Sequence, residues 1–80
     1  MTQQQLMNDI NYIRRQFELQ NREKQLIIII QQYTELANSK REMLIDYIFD
    51  KQTESEIIRS IVEYETIVED AQEELDSLYL

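Results

Sequence analysis

Apolar residues after position 56 recur at alternating intervals of four and three: Ile57, Ile61, Tyr64, Val68, Ala71, Leu75 and Leu78. That spacing lines one face of an α-helix over about six turns and matches the seam of a coiled coil. Leu6, Ile10, Ile13 and Phe17 make a second stripe with the same spacing near the start of the chain. Six consecutive polar residues, 20–25, interrupt it. The pattern then resumes out of phase as Leu26, Ile30, Tyr33, Ala37, Leu44 and Tyr47, widened by Ile29, Leu36, Met43 and Ile48.

The run Leu26-Ile27-Ile28-Ile29-Ile30 has high β propensity and in isolation reads as a short buried strand. Its flanks, Arg22-Glu23-Lys24-Gln25 and Gln31-Gln32, are helix formers with no turn residue among them, so helix is the better reading. Composition points the same way. The chain has no glycine and no proline, where ordinary usage would supply about ten in 80 residues. Left-handed turns and helix stops are thereby scarce, and a sheet with its several tight turns is disfavoured.

One helical domain, 1–80, is the expectation. The clearest boundary falls at Asp50-Lys51-Gln52-Thr53, with Thr53 and Glu56 spaced as a capping box. It predicts a helix over about 3–50, a turn at 50–53 and a helix over about 54–79. Residues 20–25 and 38–39 are the places where the first helix would kink; Ser39 and Glu42 form a second capping-box pattern there, and continuity is favoured. Segments 22–50 and 54–79 would span about 44 Å and about 39 Å, a match that suits an antiparallel hairpin. The fold class is therefore all-α: a helical hairpin or small bundle with coiled-coil-like packing. Residues 3–20 would overhang it, and an exposed Leu6, Ile10, Ile13 and Phe17 would need a cover. A core this small seldom stabilises a fold by more than ~3–5 kcal/mol, so association with another chain is expected.

Charge is segregated. Residues 1–40 carry five basic and four acidic side chains, net +1, whereas residues 41–80 carry three and twelve, net −9. Beyond residue 60 there are seven carboxylates and no Lys or Arg. Glu65 with Glu69, Glu69 with Glu73, and Asp70 with Glu74 are like-charged neighbours, each pair costing about 0.2–0.5 kcal/mol at low salt. With a turn at 50–53, Glu63 would face Arg41, Glu65 would face Lys40 and Asp76 would approach Lys24. Glu69, Asp70, Glu73 and Glu74 would be left as an acidic patch, either a solvated face or a surface for a basic partner. Arg14 and Arg15 are the unused basic pair that would meet it from a folded-back arm or a second subunit.

Most chemistry lacks its residues. There is no His and no Cys, hence none of the commonest bases, nucleophiles, transition-metal ligands or disulfides. No glycine-rich phosphate loop or calcium loop is present. Ser39, Ser55, Ser60 and Ser77 read as caps or surface residues. No catalytic residue, metal site or cofactor is expected. Direct nucleic-acid binding is disfavoured by scattered basic residues and an acidic second helix. Five consecutive apolar residues are too few to span a membrane, so a cytoplasmic protein is expected. The functional expectation is a small protein-binding module (adaptor, co-chaperone or inhibitor) of bacterial or phage origin. It would dock Leu6, Ile10, Ile13 and Phe17 on another protein, with Glu69, Asp70, Glu73 and Glu74 steering toward a basic surface. Two alternatives stand beside it: an acidic nucleic-acid mimic that blocks a DNA- or RNA-binding groove, and a purely structural homo-oligomer.

Overall fold

The computed structural model describes residues 2–80 as two helices, α1 (Gln3–Asp46) and α2 (Lys51–Ser77), packed antiparallel. The hairpin is long and thin, 70 × 15 × 15 Å. At 1.5 Å per residue α1 spans about 66 Å and α2 about 40 Å, so α1 projects well beyond its partner. α1 is unbroken through 20–25 and through 38–39. Residues 20–25 are mostly good helix formers, and Asn38, a poorer one, is used inside the helix, its Oδ1 accepting from Arg41 Nη1 at 3.0 Å.

α1 opens on a capping box. The Thr2 hydroxyl accepts from the Gln5 amide at 3.2 Å, and the Gln5 side chain accepts from the Thr2 amide at 3.1 Å. Two of the four orphan N–H groups are thus satisfied by side chains at an end beyond the last turn of α2, which lies beside residues 12–19.

The turn is residues 47–50, three residues earlier than the 50–53 expected. Asp50, and not Thr53, caps α2: its carboxylate accepts from the Thr53 amide at 2.8 Å. Aspartate is at least as good a cap as threonine, and starting at Lys51 adds most of a turn of helix. Accepting from Thr53 also holds the Asp50 carboxyl below its usual pKa. The chain reverses without glycine because Tyr47 (φ −129°, ψ 151°) and Asp50 (φ −66°, ψ 164°) are both extended, and no described residue has a positive φ. Tyr47 and Ile48, read as continuing the α1 stripe, are instead turn residues exposed to solvent.

Moving the turn moves the register. Tyr33 stacks on Tyr64, and Leu26 and Ile29 share a groove with Ile67 and Ala71. Around these residues the facing positions are displaced by about seven from the expected pairing, which leaves the same faces in contact, whereas the long side chains of Arg41 and Glu65 still meet close to the expected pairing. The α2 stripe is as read: Ile57, Ile61 and Ala71 are buried and Tyr64, Val68, Leu75 and Leu78 half-buried. On α1 the seat of α2 runs through Leu19, Leu26, Ile30, Tyr33, Ala37 and Leu44. Leu26 (1% exposed) and Ala37 (2%) are its most buried members.

Candidate functional site

Two features of the hairpin bear on function: the arm of α1 that α2 does not cover, and the charged edges of the seam.

The last turn of α2 ends beside the arm, where Leu78, Tyr79 and Leu80 line a groove with Tyr12, Arg15, Gln16 and Leu19. Below that point α1 stands alone. Leu6, Ile10, Ile13 and Phe17 are 46–66% exposed, with Met7 beside them. Their exposure is not only a matter of reach. Gln16 and Leu19 turn toward α2 and are half-buried, whereas Phe17, in the same turn of helix, is exposed. The seat of α2, extended backward, would pass through residues 12, 16 and 19. The arm stripe is offset from it by one residue, about 100° around the helix. The phase break at 20–25 thus gives α1 two apolar faces, and α2 fills only one.

The edges of the seam hold three polar straps. Arg22 grips Glu74 with two guanidinium nitrogens, Nη2 donating to Oε1 at 2.8 Å and Nε to Oε2. Its Nη1 reaches Gln25 at 3.3 Å. The hydrogen bond from Arg22 holds the Glu74 carboxyl below its usual pKa and raises that of the guanidinium. Arg41 pairs with Glu65 while also donating to Asn38. The Tyr79 hydroxyl donates to Glu23 at 2.6 Å, which raises the phenol's pKa. All three straps are solvent-exposed, so they orient the helices more than they stabilise them.

The expected ion pairs are therefore rearranged: Arg41 takes Glu65 and not Glu63, and Glu74 is not free. Of the acidic patch, Glu69, Asp70 and Glu73 are exposed and make no ion pair among the described residues. Gln72 hydrogen-bonds Asp76 at 2.9 Å. Arg14 and Arg15 also make no ion pair among the described residues. The hydroxyls of Ser60, Thr66 and Ser77 donate back to helix carbonyls four residues earlier, which leaves them part of α2's own bonding.

No protein-family model, curated protein or solved structure matches this chain.

A third feature had no sequence signal. Ile45, Tyr47 and Ile48 are exposed together at the hairpin tip, Ile48 fully so, while Phe49 is half-buried with its ring 6.1 Å from that of Tyr47. Periodicity assigns Tyr47 and Ile48 to the core as long as the helix is carried to 50. Among the described residues no group of three or more carboxylates is placed to hold a metal, and no helix is long and apolar enough to cross a membrane.

Proposed function

We propose that this protein is a small, non-catalytic protein-binding module of the adaptor, co-chaperone or inhibitor kind. It docks the arm face Leu6, Ile10, Ile13 and Phe17 against an apolar surface of another polypeptide. The observation that carries this reading is the one-residue offset. The arm presents a capped helix with a continuous apolar stripe on a side that α2 cannot reach. Residues at i, i+4, i+7 and i+11 are the anchors of a helix laid in a groove. Their exposure to water has no benefit within the hairpin.

The test is affinity capture from the source cells with the intact chain, Ile13→Asp and Phe17→Asp, read by quantitative mass spectrometry. A polypeptide retained by the wild type and lost with both variants is expected. Equal recovery with all three would refute the assignment. The acidic-mimic alternative retains Glu69, Asp70 and Glu73 as its free carboxylates. Replacing these three by Gln would abolish activity under that alternative and leave capture intact under the one proposed.

A further inference from the structure

We infer that the arm's partner is a second copy of this chain, the two arms pairing antiparallel about a two-fold axis between Asn11 and Tyr12. Leu6 then meets Phe17 of the second copy, and Ile10 meets its Ile13. The inference rests on the reading of the arm as a docking face and adds what occupies it.

Four observations carry it. First, the stripe is spaced four, three, four, so it superposes on itself when reversed, as an isologous contact requires. Second, reversal sets the larger Phe17 against Leu6, whereas a parallel pair in register would stack Phe17 on Phe17. Third, the arm is electrically neutral, with Asp9 and Glu18 balancing Arg14 and Arg15, while residues 41–80 carry a net charge of −9. Antiparallel arms send the two acidic hairpins to opposite ends. Parallel arms would lay the two α2 helices near one another, and the Asp9–Arg14 pair that a parallel arrangement gains is a surface contact of little weight.

Fourth, the ends are complementary. With Leu6 level with Phe17, the start of the second copy's α1 lies level with residues 20–21 of α1. That is where Asp76 and Ser77 of α2 stand, given that Leu78 shares its groove with Leu19. The first turn of α1 has no acidic residue and the last turn of α2 no basic one. The positive end of one helix dipole therefore approaches the negative end and carboxylates of another. Because the arm stripe is offset from α2's seat, the incoming arm lies beside α2's last turn, over the exposed Leu80, without displacing it.

Four exposed side chains per copy, with their flanks, make a patch smaller than the ~1,200 Å² of a stable specific interface, so a weak, reversible dimer is expected. The experiment uses the full chain. Sedimentation equilibrium from about 1 to 500 µM should show a monomer–dimer transition, and Ile13→Asp should shift its midpoint at least tenfold while circular dichroism stays helical. Disulfide trapping then reads the direction, since the chain has no native cysteine. Leu6→Cys mixed with Phe17→Cys should cross-link, and neither should cross-link alone, because like positions would lie about 16 Å apart along the axis. A monomer at every concentration overturns the inference; the docking reading survives that result if capture still depends on Ile13 and Phe17. Cross-linking of either variant with itself shows parallel arms and overturns it as well. A dimer indifferent to Ile13→Asp overturns it too, and the capture experiment then decides the docking reading by itself.

Discussion

The ring of Tyr33 lies against the ring of Tyr64, centroids 5.7 Å apart and planes inclined by 48°, across the middle of the helix seam. Tilted aromatic pairs contribute ~0.5–1.5 kcal/mol beyond the area they bury. This pair also marks the register, because a slip of one heptad would separate the rings. A double-mutant cycle with Tyr33→Leu and Tyr64→Leu, read by urea denaturation, should return a coupling of that size. Additive losses would mean that the rings are merely neighbours.

Leu26 is the most buried large side chain and faces the small Ala71. Leu26→Ala should cost about 2–4 kcal/mol, most of what a two-helix core supplies. Thermal melts of the variant at low concentration should show a broad transition or none. Ala71→Leu fills the same space from the other side and should cost about 1–3 kcal/mol by overpacking. Wild-type melting for either would place the core elsewhere.

Asp50 and Thr53 make unequal claims on the start of α2. The Asp50 carboxylate is the acceptor; the Thr53 hydroxyl and backbone amide are the groups that lower its pKa, the hydroxyl more. Asp50→Ala should lower the melting temperature, Asp50→Asn should restore most of it, and Thr53→Ala, which keeps the amide bond and loses only the hydroxyl, should cost less than Asp50→Ala. The reverse order would return the cap to Thr53.

Glu74 carries a pH signature. Its carboxyl pKa is lowered in the folded chain by the hydrogen bond from Arg22. A lowered carboxyl pKa contributes stability that is complete above the ordinary carboxylate range, about pH 4–5, and is lost as pH falls through the folded value. Glu74→Gln should thus melt below the wild type at pH 7, with the gap closing in acid. A gap that persists at pH 2 would show that the side chain acts by packing rather than by charge.

Periodicity made the two-helix architecture, the α2 stripe and the phase break at 20–25 legible, because burying a helix face leaves a regular trace in residue type. The turn was harder to place. Asp50 and Thr53 are both good caps three residues apart, and Tyr47 and Ile48 look like core until the backbone is seen to leave the helix at Asp46. Starting α2 three residues early shifted the pairing around Leu26 and Tyr33 by about seven, and so Glu74 passed from the free acids to Arg22. The arm residues were legible as an apolar stripe. That they point away from α2 follows from the one-residue offset, which is resolved only when Gln16 and Leu19 are seen to face the other helix.

Because α2 and any companion of the arm occupy different sides of α1, recruitment needs no unzipping. If the arm is the docking face proposed above, the hairpin would have no internal bonds to break before contact. Complex formation should therefore follow simple second-order kinetics set by encounter, without the slow unimolecular lag of a mask that must first peel away.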